Sequence, residues 1–359
     1  MAITFLWFTA GLVALIAGAE SLVRGASRLA DSLGISKLVI GLTVVAFGTS
    51  APELAVTIQA GTGGEPDILL GNVVGSNLAN ILLILGISAA IVPLYVNPRL
   101  IRQDVPVMIA ITVLVFILTL NGFLHFRECL LLFTLLVIYL LHLARNSRAE
   151  GLLADIPKKK GSTYLNLIYV AAGLVLLIGG AGWVVDSAVL FAEAAGVSEL
   201  VIGLTIVAAG TSLPEITTSV VAALRREREL VVSGIIGSNI FNLLAVLGIS
   251  GMVIPEAVPV NEALLRFDLL VLLAASFACM PIFFTGHIIS RGEGLVFLGY
   301  YAAYNVYLWL SSAEHAALPV FSNTMLWFVL PITLFTIIML AIREWRKRAR
   351  VWKSMHNGQ

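Results

Sequence analysis

The chain has 359 residues, of which 59% are hydrophobic and 12% charged, with a mean hydropathy of +0.99 and a formal charge of +1. Soluble domains carry about twice that share of charge and fewer apolar residues, so a soluble enzyme is excluded and a polytopic membrane protein is implied. The near-neutral charge leaves no electrostatic footprint for nucleic acid, and Cys129 and Cys279, both in apolar runs, have neither disulfide nor metal-ligand spacing.

A spanning helix needs roughly 20 mostly apolar residues. Eleven such segments follow one another, at 3–30, 37–60, 68–92, 104–121, 127–144, 164–194, 199–224, 229–253, 267–285, 293–311 and 325–342. The first has no basic region before it and runs on into the second, as a first membrane helix does and a cleaved signal does not. The long polar connection, 145–163, carries RNSRAEGLLADIPKKKGS and divides the chain. Residues 1–144 form a first half of five helices, 164–311 a second half, and 312–359 an added eleventh helix with a basic tail. With the N-terminus outside and one crossing per helix, Arg24, Arg28, Lys37, Arg99, Arg102, Arg145, Arg148, Lys158 to Lys160, Arg225, Arg226, Arg228, Arg291 and the tail all fall inside. Arg127 and Arg266 alone fall outside, so the positive-inside rule is met and the C-terminus is expected in the cytoplasm. The tail reads as an anchor that touches anionic lipid.

The halves repeat. A shift of 162 residues superposes Gly18 on Gly180, Gly34 on Gly196, Gly41 on Gly203, Glu53 on Glu215, Ser76 on Ser238 and Asn80 on Asn242. A shift of 164 then aligns NPRLIRQD, from Asn97, with NEALLRFD, from Asn261. Five helices per half is an odd number, so the second half enters the membrane from the opposite side. The expected fold is all-α: two inverted-topology five-helix repeats, ten transmembrane helices, plus one more helix at the C-terminus. In that architecture the binding site lies near the midplane between the repeats.

Within the apolar runs stand GTSAPE, ending in Glu53, and GTSLPE, ending in Glu215. A charged side chain at the bilayer centre costs at least about 2.5 kcal/mol, so each acid is a candidate functional residue. Two carboxylates brought together by a pseudo-two-fold axis need a cation or a proton between them. Pro52 and Pro214 lack a donor and free carbonyls one turn earlier, around Ala46 to Thr49 and Ala208 to Thr211, where Gly48 and Gly210 loosen the chain. Thr49, Ser50, Thr211 and Ser212 add hydroxyls. Ser76 and Asn80, and again Ser238 and Asn242, are four apart on one helix face, beside Gly75 and Gly237, which permit close helix approach. This set of hard oxygens suits Ca²⁺ or Na⁺ and not zinc or copper. Asp104 and Asp268, each two residues after an arginine, read as helix caps and surface pairs, Glu20 and Asp186 as interface residues without a role, and the five histidines form no cluster.

These motifs, G-T-S-x-P-E and G-S-N-x-x-N in both halves, resemble the calcium/cation antiporter superfamily, in particular sodium/calcium exchangers of prokaryotic type. The resemblance spans residues 1–311 and implies the ten-helix inverted fold. By motif position it implies ion ligands at the carbonyls of Ala46 and Ala208, and at Thr49, Ser50, Glu53, Ser76, Asn80, Thr211, Ser212, Glu215 and Ser238. Some relatives carry an aspartate where this chain has Asn242, which implies potassium-independent exchange with two site carboxylates. The implied activity is exchange of Na⁺ for Ca²⁺ across the cytoplasmic membrane of a prokaryote, with the first and sixth helices moving over a rigid remainder. No cofactor is implied. A Ca²⁺/H⁺ exchanger is the alternative, and a passive cation channel a more distant one.

Overall fold

The structure, a computed structural model, describes residues 2–153, 162–194, 208–254, 256–313, 315–333 and 335. Helix α1 (Ala2–Leu33) ends at Gly34, whose φ of +69° is a left-handed conformation that costs glycine nothing, and the chain turns there into α2 (Lys37–Ile40). A π-helical turn (Gly41–Val45) and α3 (Ala46–Thr49) follow, and the path breaks at Ser50. Helix α4 (Ala51–Thr62) then departs at 42°. Pro52 accounts for the break, since it fits the first turn of a new helix and not the interior of an old one. The third span is α5 (Pro66–Leu78), a π-turn (Ala79–Ile84) and α6 (Leu85–Ile91). Strand β1 (Leu94–Tyr95), α7 (Pro98–Arg102), α8 (Asp104–Leu118), β2 (Phe123–Leu124) and α9 (Phe126–Leu153) complete the first half. The polar segment expected as a linker thus begins as the last turns of α9.

The same order returns. Helix α10 (Thr163–Ala194) is followed by α11 (Ala208–Thr211), a break at Ser212, and α12 (Leu213–Leu224). Then come α13 (Arg228–Phe241), a π-turn (Asn242–Val246), α14 (Leu247–Val253) and β3 (Val258–Pro259). A π-turn (Leu264–Asp268), α15 (Leu269–Phe284), β4 (Ile288–Ile289) and α16 (Arg291–Ser312) close the half. Beyond it lie α17 (Leu318–Thr324) and a π-turn (Met325–Val329). Among the described residues seven helices are long and apolar enough to span a membrane, and the bent pair Lys37–Thr49 and Ala51–Thr62 makes an eighth. Of the other expected spans, 199–224 is described from Ala208 on, 293–311 is helical as α16, and 325–342 is helical over 325–333 and lies mostly outside the described residues beyond that.

Helices α1 and α10 run antiparallel in close contact. A Cβ on Gly18 would stand 2.8 Å from the Gly173 carbonyl, one on Gly180 would stand 2.9 Å from that of Gly11, and Gly25 meets Tyr169 and Val170. The glycines recur every seven residues on α1, and Trp7 packs against Trp183 with the rings tilted and their centroids 5.1 Å apart. These small residues therefore interlock the two helices with each other. Within the span Arg228–Val253, residues 230–248 are all buried. Each of two β-ribbons takes one strand from each half: β1 pairs with β4 (Leu94 opposite Ile289), and β2 with β3 (Leu124 opposite Val258).

Candidate ion-binding site

Both G-T-S-x-P-E motifs fold alike. Ser50 (φ −80°, ψ 4°) and Ser212 (φ −87°, ψ 2°) break the helix in one conformation, and each restarts it by accepting from the backbone four residues on, at Leu54 and Ile216. Glu53 and Glu215 stand in the first turns of α4 and α12, at positive helix ends that favour a carboxylate. They are 1% and 5% exposed, so neither is hydrated from the surface. They are near enough to repel each other.

The oxygens of this region are poorly satisfied. Ser50 Oγ, Glu53 Oε2, Asn80 Oδ1 and both amide atoms of Asn242 are buried without a hydrogen-bond partner among the described residues, and the buried Glu215 carboxylate faces the Thr49 hydroxyl. A buried polar atom left alone costs about 1–3 kcal/mol. So many together in a stable fold are the mark of a site built for a charged guest. The two acids are accompanied by hydroxyl and amide oxygens, and no group of three His, Cys, Asp or Glu side chains exists among the described residues. That is the donor set of Ca²⁺ or Na⁺.

Several sequence-predicted residues meet here. Thr49 Oγ1 lies 3.5 Å from Ser238 Oγ, joining the first half's broken helix to α13. Thr49, Glu215 and Ser238 line one narrow cavity together with Thr218, Ser219 and Gly234. Asn80 donates to Asn239 Oδ1 at 3.0 Å, a direct bond between the halves. Ser76, Thr211, Ser212 and Asn242 are buried too. Asn80 and Asn242 stand at the start of the two equivalent π-turns, a departure from regular helix that recurs at functional sites.

Some expectations need correction. The Ala46 carbonyl accepts the Ser50 N–H at 3.1 Å, so the proline does not free it from main-chain bonding, and the Thr49 hydroxyl is shared between it, at 3.4 Å, and the Val45 carbonyl at 3.1 Å. Ala208 opens α11, and residues 203–207 before it lie outside the described residues. Gly48 and Gly210 do more than loosen a turn: Cβ atoms there would strike Leu174 at 2.4 Å and Val185 at 2.2 Å, so they are seats for two side chains of α10. Gly237 packs against Leu42 and Ala46 as expected of a close approach, whereas Gly75 has no such neighbour among the described residues.

Asp104 and Asp268 are not surface pairs. Asp104 is 3% exposed and accepts from Tyr139 at 3.0 Å, Asp268 accepts from Tyr304 at 2.8 Å, and Arg266 pairs with Glu262. The caps are Asn97 and Asn261, each accepting from the backbone two residues on. Glu20 has partners, Arg24 and Arg225, while Glu227 holds Lys37 at 2.7 Å and Ser27 at 3.0 Å. Sequence reasoning missed Asn72 and Asn239. Asn239 stands inside G-S-N-x-x-N, but Asn72 is matched by Gly234 under the 162 shift, so a search for repeated residues passes over it.

The profile of the family described as sodium/calcium exchanger protein matches residues 3–145 and 165–310. The chain belongs to this family. The sodium/calcium exchanger MaX1 of Methanosarcina acetivorans is 33% identical over 357 residues, covering 85% of this chain and 98% of that protein. The inner membrane protein YrbG of Escherichia coli K12 is 33% identical over 280 residues, covering 75% of this chain and 86% of that one. Among solved structures, the sodium-calcium exchanger NCX_Mj superposes with a TM-score of 0.76 at 32% identity, over 86% of this chain and all of the other. That exchanger has been examined for extracellular ion exchange and binding-site occlusion under varied Na⁺, Ca²⁺ and Sr²⁺. The present chain is thus an exchanger-type antiporter of the membrane with the helical fold of these relatives.

Proposed function

We propose that the protein exchanges Na⁺ for Ca²⁺ by alternating access, without K⁺, and that its usual direction is Ca²⁺ extrusion from a prokaryotic cell. The observation that carries this reading is the pair Glu53 and Glu215, enclosed together among unpartnered oxygens. Ionised, the pair carries a charge of about −2, which one Ca²⁺ neutralises. Several Na⁺ use the same oxygens, so the two cargoes compete, and that competition is the coupling. A site left empty and doubly charged is costly to carry through a low-dielectric interior, so loaded forms alone change face.

The ligands in this reading are Thr49, Ser50, Glu53, Ser76 and Asn80 from the first half, and Thr211, Ser212, Glu215, Ser238 and Asn242 from the second. Asn242 is neutral, which keeps two carboxylates and leaves no charge for a further K⁺. The inverted arrangement of the halves 1–144 and 164–311 is supported by the ribbons, because equivalent strands β1 and β3 lie in different ribbons, each beside the other half. The N-terminus is outside and the C-terminus cytoplasmic, on the lysine and arginine distribution. The hydroxyls of Thr49, Ser50 and Ser238 around the acids favour Na⁺ over H⁺ as the counter-ion, since a proton needs no cage of neutral oxygens.

The test is radiolabelled Ca²⁺ uptake into proteoliposomes under an imposed Na⁺ gradient and, separately, a pH gradient. Uptake driven by Na⁺ and lost in Glu53→Gln and Glu215→Gln is expected. Uptake driven by pH alone, or unchanged in either variant, overturns the reading.

A further inference from the structure

Helix α5 with its π-turn carries a polar stripe, Asn72, Ser76 and Asn80, at a spacing of four, and α13 with its π-turn carries Gly234, Ser238 and Asn242 at the equivalent positions. The stripes differ in one place. Asn72 Oδ1 accepts from the Thr211 hydroxyl at 3.4 Å, and its Nδ2 donates to the Glu53 main-chain oxygen at 3.5 Å. A single amide therefore ties together the motifs of both halves. Gly234 has no side chain to do the same beside Glu215. It lines the narrow cavity there, and a Cβ on it would meet only Val45 Cγ1, at an ordinary 3.6 Å.

A second pair, one step further from the acids, shows the same bias. Ser250 donates to Thr57 at 2.8 Å, both fully buried, which fastens α4 to α14. Their equivalents are Ser88 and Ser219. Ser88 Oγ is buried and has no partner, and Ser219 lines the cavity. Among the described residues, the Asn72 and Ser250 bonds on the flank that leads to Glu53 have no bonded counterpart at the equivalent positions on the flank that leads to Glu215.

We propose that Asn72 is a positioning residue that holds the Glu53 flank shut, while Gly234 leaves a narrow cavity unfilled on the Glu215 flank. One position of the repeat, amide in one half and glycine in the other, thereby makes the two faces of the exchanger unequal. The consequence for transport rests on the exchange reading above, but the difference in access does not.

Access is read without transport from single cysteines at Ala60 on α4 and Ala222 on α12, equivalent buried positions on the two flanks, of which Ala222 lines the cavity. The native cysteines Cys129 and Cys279 are buried. A small charged methanethiosulfonate is expected to modify Ala222→Cys at least tenfold faster than Ala60→Cys. Adding Asn72→Ala should raise the Ala60→Cys rate at least fivefold and leave Ala222→Cys within twofold. Adding Gly234→Asn, whose side chain enters the cavity, should slow Ala222→Cys at least fivefold. Equal rates at the two cysteines, or no response to Gly234→Asn, overturn the proposal. If Asn72→Ala unfolds the protein, both rates rise together, and Gly234→Asn decides. Parallel Ca²⁺ flux in the same preparations separates the two readings: rates that behave as described in a protein without Na⁺-driven flux overturn exchange and leave the access asymmetry standing.

Discussion

Asn242 is fully buried, and neither its amide nitrogen nor its amide oxygen finds a partner among the described residues. As a packing residue it is a poor choice, because leucine has a similar volume and no polar atom to strand. Asn242→Leu is therefore expected to raise stability by about 1 kcal/mol while lowering Na⁺-driven Ca²⁺ uptake at least tenfold. Thermal unfolding in detergent and flux in proteoliposomes measure the two, and a variant that loses both would make Asn242 structural. Tyr139→Phe is the converse case. It takes the hydroxyl from Asp104, whose other oxygen is already unpartnered, and should cost about 1–2 kcal/mol with flux per folded molecule unchanged. The melting temperature and a flux assay normalised to folded protein decide it. The site itself was legible because its residues are written twice at one offset. Asn72 was not, since it is written once, and Asp104 was misread because a position two residues after an arginine says nothing about which helix covers it.

At the scale of elements, the α1–α10 pair is fixed by backbone proximity. Gly18→Ala puts a Cβ at 2.8 Å from a main-chain oxygen, which cannot move as a side chain would, so the helices must separate. A loss of about 1–3 kcal/mol is expected, as for other overpacked contacts. Gly179→Ala, one residue from the Gly180 contact, meets nothing within 4 Å among the described residues and should be neutral or slightly stabilising. Melting temperatures of the two variants test this, and similar losses in both would show that helix propensity and not close contact governs. The helices were legible from hydropathy and their order from the repeat. The π-turns were not, because no residue type marks them: Asn242–Val246 reads as unbroken apolar helix. Nor could the sequence say which surface the glycines face, since α1 and α10 are far apart in the chain and only their packing brings Gly18 to Gly173.

Across the whole molecule, the proposed site makes ion binding a term in global stability. Its oxygens come from α3, α4, α5, α12 and α13, so an ion held there joins elements from both halves and lowers the repulsion between Glu53 and Glu215. A ligand that binds the folded state alone stabilises it by RT ln(1 + [L]/Kd), about 2.7 kcal/mol at a hundredfold excess over Kd. Saturating Ca²⁺ or saturating Na⁺ should each raise the melting temperature by several degrees. Because they compete for the same ligands, their effects should not add: with Ca²⁺ saturating, further Na⁺ should first lower the melting temperature toward the Na⁺-only value. Independent sites would give the sum of the two shifts at every mixture. Glu53→Gln, Glu215→Gln and the double variant complete the argument. Each removes a charge whose burial is costly, so each should be more stable than the wild type without ions and should lose most of the ion-dependent shift. A wild type that melts at one temperature with and without either ion, or variants that keep the full shift, would place the cation site away from these two glutamates.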